Sequence, residues 1–288
     1  MDPMLALLTL TFLSAPLNLE ASVSEVPVLH AQEPELKEAF KRFDKILKSK
    51  TNEGEAISMM DTFVGRYRTV QERIDSIDDS ISIDEGDKKV LLKERKGLLK
   101  VQNSLAETVY SSMTHKGRKA ITEPNLQLFR AAAYSLGQMG SVGAHYLWKG
   151  FELKKFKDNP DFRGLCLEQI GYTHAYEEFA EELVDLLDHH EYLFIAKASE
   201  ALAQFSGAPG RLRRDAVERL TQLLSQNWEA TISNKTDEEA QKKYRKTGQP
   251  MRNALEALTG VSQSDPQAWT TWWNKNKKDK EIWSNHED

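Results

Sequence analysis

Three helix-end motifs recur in the second half of the chain at nearly constant spacing, and that spacing constrains the fold more than any other feature. Leu136-Gly137-Gln138-Met139, Ile170-Gly171-Tyr172-Thr173 and Leu202-Ala203-Gln204-Phe205 each set a small residue after an aliphatic one. Gly137 and Gly171 are 34 residues apart, and Gly171 and Ala203 are 32. Each motif closes an amphipathic segment (125–140, 161–173, 192–207), and a second segment follows each (141–157, 176–188, 211–228). Thr122 with Pro124 marks the start of the first, a capping side chain followed by proline in the opening turn. A period in the thirties, with two helices per period and no strand signal, predicts stacked helical hairpins. Each layer then buries its apolar face only against its neighbours.

A fourth copy, 251–260, ends in Leu255-Glu-Ala-Leu258, and Leu255 lies 53 residues after Leu202. That places an insert of about twenty residues at roughly 229–249. Its charged stretch, Asn234 to Lys246, reads as an exposed helix or a disordered loop. Leu258-Thr-Gly260 is followed by Asp265-Pro-Gln-Ala-Trp269-Thr-Thr-Trp272-Trp273-Asn274. The end motifs and this closing segment resemble HEAT-repeat proteins, in particular exported bacterial ones in which "LTG" ends a helix and a W-x-x-W-W helix follows. The resemblance covers about half the chain. It implies an all-α fold, an α-solenoid of HEAT-type hairpins over 121–273, with second helices lining a concave face. Trp269, Trp272 and Trp273 stand at i, i+3 and i+4 and share one helix face. They read as a structural cap on the last layer or, alternatively, as an aromatic platform. A charged tail, 274–288, follows.

The first half reads as an N-terminal helical block, 35–120. Leu36, Phe40, Phe43 and Leu47 make one stripe; Ile57, Met60, Val64, Tyr67, Val70, Ile74 and Ile77 a second; Leu91, Leu98, Val101, Leu105 and Val109 a third. The last two form a long antiparallel hairpin over 54–114, with Asp78–Ser82 as its turn and Ser82-Ile-Asp-Glu85 as a capping box. Before it lie a linker, 25–34, and a candidate signal peptide, 1–24. Met4–Leu13 is an uncharged apolar run, with Ser22 and Ser24 placed for cleavage after Ser24. The run is about ten residues long, short of the roughly 20 needed to span a bilayer. No Lys or Arg precedes it. The expected location is periplasmic or extracellular, or cytoplasmic if the run is instead a buried helix.

Chemistry-bearing patterns are few. The formal charge of -5 has the wrong sign for a general nucleic-acid binder. Cys166, the sole cysteine, lies in an apolar helix segment and reads as a core residue. His190-Glu191 begins like H-E-x-x-H, but Phe194 takes the second ligand's place. His174 and His189 flank one helix, about 20 Å apart by its length. Asp75–Asp87 does not fit a calcium loop, since Ile83 and Lys89 fall where Gly and Glu are needed. Gly137, Gly140 and Gly143 read as caps, and the sequon Asn234-Lys-Thr236 as a chance match. No catalytic, metal or cofactor site is expected.

The second helices carry the most informative pattern, which alternates in charge. Lys149, Lys154 and Lys155 are followed by Glu178, Glu181, Glu182 and Asp185, then by Arg211 and Arg214. Either these charges pair between layers, or they line a groove that selects a partner. The expected function is a non-catalytic scaffold binding a protein or peptide, monomeric, with no nucleic acid and no membrane span. The alternatives are a helical-repeat enzyme, such as a HEAT-like DNA glycosylase using Trp228 and Arg211–Arg214, or a structural protein oligomerising through the long hairpin.

Overall fold

The structure, a computed structural model, describes residues 33–49, 52–84 and 86–284. Among these the chain forms eleven α-helices and no strand. They are α1 (Glu33–Ser49), α2 (Glu53–Ser82), α3 (Lys88–Thr114), α4 (Glu123–Gly137), α5 (Gly140–Glu152), α6 (Pro160–Gly171), α7 (Tyr176–Asp185), α8 (Tyr192–Ala203), α9 (Gly210–Ser233), α10 (Glu238–Thr259) and α11 (Pro266–Asn276). The chain divides into two compact units, Met1–Lys41 and Arg42–Asp288. Only the opening of α1 is described in the first unit, and the packing of the helices belongs to the second. The apolar run 4–13, the cleavage region near Ser24, nearly all of the linker 25–34 and residues 285–288 lie outside the described residues.

Alternate helices are neighbours. α2, α4, α6, α8 and α10 contact one another in succession; α3 contacts α5, and α7, α9 and α11 follow in turn. Trp148 of α5 meets Phe179 of α7 at 5.9 Å between ring centroids, linking the two parts of the second row. The core between rows is mainly apolar: Leu128, Phe129 and Ala132 of α4, Leu167 and Ile170 of α6, and Ile195 and Ala198 of α8 are buried. Each fully buried large side chain contributes roughly 1.5–3 kcal/mol. Phe156 stacks against Phe162 at 4.1 Å and edge-on to Phe129 at 5.3 Å, filling the space beside α4 and α6.

Small residues set how closely helices approach. A Cβ on Gly171 would lie 2.8 Å from Cα of Ala201, so α6 and α8 touch backbone to backbone. Gly143 is not a cap: a Cβ there would meet the Leu136 carbonyl oxygen at 1.9 Å, inside the α4–α5 corner. Gly140, at φ +53°, makes the turn itself.

Two helix boundaries differ from the sequence reading. α2 continues through Ser82, whose hydroxyl bonds back to Asp79 O at 2.6 Å. The cap of α3 is Asp87, which accepts from Lys89 N and Val90 N at 2.9 and 3.3 Å. Thr122 occupies the N-cap position of α4 without a side-chain bond. The insert is helical: residues 229–249 lengthen α9 and α10, joined at 234–237. Gln241 Nε2 donates to Thr231 O at 3.1 Å and so ties the two extensions together. Gly260, at φ +69°, ends α10, and Asp265 caps α11 by accepting from Ala268 N at 2.8 Å.

The C-terminal end is closed by tryptophans and one arginine. Trp269 and Trp273 are buried, and Trp283 packs on Trp273 at 5.9 Å while donating Nε1–H to Asn276 O at 2.9 Å. Arg213 of α9 is buried, with no carboxylate paired to it among the described residues. Its guanidinium donates to the carbonyls of Ala208 (3.0 Å), Leu258 (3.4 Å), Ile282 (3.3 Å) and Ser284 (2.8 Å). Desolvation lowers its pKa, the direction expected of a cation held by neutral dipoles alone. Replacing Arg213 by Met orphans four carbonyls and should cost about 3 kcal/mol in urea denaturation, with Lys recovering less than half. Truncation after Lys278 removes two of the same acceptors. The double variant should therefore fall well short of additivity, and full additivity would refute the shared network.

Candidate functional site

The charged side chains expected to form one surface fall into three situations. Lys149 and Lys154 are exposed, and the Lys149 ammonium sits 5.0 Å over the Tyr146 ring. Lys155 is drawn inward. It donates Nζ–H to Arg118 O at 3.2 Å and lies 3.8 Å from the Phe129 ring centroid, so it bridges the loop before α4 to the turn after α5. Its role is structural, against its reading as a surface contact. The cause is the long stem, which reaches an apolar pocket that spacing along the chain does not reveal.

On α7 the acidic residues stay outside. Phe179, Ala180 and Leu183 turn inward, leaving Glu177, Glu178, Glu181, Glu182 and Asp185 exposed. None of these five is in an ion pair among the described residues. Asp188, just beyond the helix, is paired: Arg219 of α9 donates Nε–H to it at 3.1 Å. Arg211 and Arg214 are exposed on α9, and Arg214 reaches only its own neighbour Asp215, at 3.5 Å. Pairing between layers thus accounts for one contact of the alternation and leaves most of α7 open. Arg213, from the basic run 211–214, is committed to carbonyls and is not available to a phosphate.

The histidines near α7 have local partners. His174 Nδ1 is 2.8 Å from Tyr176 OH. His189 stacks on His190 at 4.2 Å and accepts Glu191 N–H on Nδ1 at 2.9 Å. Burial, with help from His190 and Arg163, lowers the His189 pKa. Cys166 is fully buried, which pushes its thiol pKa up. Among the described residues no group of three or more His, Cys, Asp or Glu is placed to hold a metal, and no helix is long and apolar enough to cross a membrane.

Two features escaped the sequence reading. A shallow cavity of about 230 Å³ lies along α4, α6 and α8, lined by Arg130, Tyr134, Leu165, Glu168, Leu193 and Lys197 among others. Lys197 binds Glu168 and Glu200 at 2.5 and 2.7 Å; burial opposes its charge, but the two carboxylates prevail and raise its pKa. The other is an exposed lysine face on α3, legible as the run Lys88, Lys89, Lys93, Lys96 and Lys100 once α3 has a defined buried side. Compared with known protein families, curated proteins and solved structures, the chain matches none.

Burial lowers the Lys155 pKa from 10.5 to about 8. Between those values the folded protein binds fewer protons than the unfolded chain, so stability rises with pH across that window. Urea denaturation at about pH 7.5 and about pH 10 should show the wild type gaining on Lys155→Met as pH rises. Parallel pH dependence in the two proteins would remove Lys155 as the titrating group.

Proposed function

We propose that the chain is a HEAT-like α-solenoid acting as a non-catalytic binding module, with α5, α7 and α9 forming the surface that takes a protein or peptide. The free carboxylates of α7 carry this reading. A charge pattern that served only to hold layers in register would be spent on ion pairs, yet five of the six acids over 177–188 have none among the described residues. Solvated carboxylates crowded on one short helix repel one another, which a basic partner segment relieves. The expected partner therefore presents Lys or Arg to α7 and acidic groups to Lys149 and Arg211. A nucleic acid would have to carry its phosphates past the same carboxylates. The leader-like composition of residues 1–24 supports export, and a partner outside the cytoplasm.

A photo-crosslinking side chain installed at Glu181 should capture one partner in the source cells, and the same probe at Gln127, exposed on α4, should not. Changing Glu177, Glu178 and Glu182 to Gln should cut the Glu181 yield by about tenfold or more at moderate salt. Equal capture at both positions, or none at Glu181, would refute the reading.

A further inference from the structure

Over residues 88–100, α3 exposes Lys88, Lys89, Lys93, Lys96 and Lys100, and none of them has an ion-pair or hydrogen-bond partner through its side chain among the described residues. The one carboxylate in that stretch, Glu94, turns to α2 and binds Arg73 at 2.8 Å. Arg95 does the same with Asp78, at 2.6 Å. The outward face is thus purely cationic. It is also partly aliphatic: Leu92 is 49% exposed and Leu99 39%, and seven residues apart they form one stripe along the helix. Lys96 lies between them in sequence, with Lys89, Lys93 and Lys100 alongside. Ile83 and Val90, 69% and 54% exposed, extend the apolar surface at the α2–α3 turn. Of the acids there, Asp87 is occupied in capping α3, and Asp84 stands in the turn, ahead of the lysine stretch.

We propose that this face of α3 docks the protein in the plane of an anionic lipid bilayer. An acidic protein helix, such as α7 of another copy, would match the lysines but lay carboxylates over Leu92 and Leu99. A nucleic acid would leave the same leucines uncovered, and the face offers no aromatic ring or arginine to stack on bases. A bilayer takes both groups at once: ammonium groups at the level of the lipid phosphates, aliphatic side chains just beneath, and lysine stems spanning the boundary.

The test is co-flotation of the full chain with vesicles of phosphatidylcholine alone or mixed with phosphatidylglycerol. The wild type should float with the mixed vesicles and not with the neutral ones. Lys93→Gln/Lys96→Gln/Lys100→Gln should weaken partition by at least about tenfold. Leu92→Ser/Leu99→Ser should weaken it as well. An α10 control with equal charge loss, Lys242→Gln/Arg245→Gln/Lys246→Gln, should leave it within about twofold. All of these side chains are exposed, and an unchanged melting curve confirms that each variant folds. Equal binding to neutral vesicles would assign the membrane affinity to the apolar residues 4–13 and overturn the proposal. So would an equal loss in the α10 control, or no flotation at all. If the α3 lysine variant instead dissolves an oligomer seen by light scattering without changing flotation, the face is a protein contact and the proposal fails.

Discussion

At Gly171 the backbone of α6 runs so close to that of α8 that no side chain fits between them, and Gly143 imposes the same closeness where α5 turns back on α4. Helices held at that distance leave only flanking spaces to fill. Phe156 and Phe162 fill one beside α4, and Phe151 and Phe194 pack edge-on at 5.4 Å in the next. Interiors are packed to crystal density, so the separation fixed by the small residues also fixes which large ones fit beside them. Adding a methyl at Gly171 would force α6 and α8 apart at Ala201.

Two buried guanidiniums gather acceptors from distant parts of the chain. Arg213 gathers carbonyls from α10 and from the segment after α11, and so holds the tryptophan layer in place. Arg118, in the loop before α4, donates to Leu47 O at 3.3 Å and Asn125 Oδ1 at 3.0 Å and pairs with Glu53. The Arg118 hydrogen bond is the main cause of the lowered Glu53 pKa. Its own carbonyl takes the Lys155 ammonium, so one short loop joins α1, α2, α4 and the turn after α5. An arginine suits both places because its planar fork reaches several acceptors at fixed angles, which an ammonium on a flexible stem does not.

The helices and their pairing were legible because apolar period and small-residue spacing are local properties, repeated often enough to average out error. Gly171 could be read as a close-approach point from its place after Ile170 and its echo at Ala203. What escaped the reading depended on a partner distant in the chain. Ser82 with Glu85 has a capping pattern, yet Ser82 stays in α2 by bonding back to Asp79 O, and Asp87 takes the first amides of α3. Lys155 looks like one more surface lysine until Phe129, twenty-six residues earlier, is seen beneath it. Arg118 and Arg213 belong to basic runs, Lys116–Lys119 and Arg211–Arg214, that look uniformly solvated in sequence. Burial selects one member of each run and leaves the others on the surface.

That selection bears on where function is to be sought. Strongly shifted titrations often mark working sites, but the shifted groups here have structural causes: burial for Arg213, Lys155, Cys166 and Tyr67, the last pushed up to about 12, and charged hydrogen-bond partners for Glu53, Asp78 and Lys197. The groups without such a cause are the ones left outside. The α7 carboxylates and the α3 lysines are exposed and, among the described residues, without ion-pair partners, on two helices that bury their opposite faces. Folding uses one face of each helix and places no demand on the charge of the other. Clustering five like charges there raises self-repulsion without improving packing, and a surface of opposite sign would relieve it.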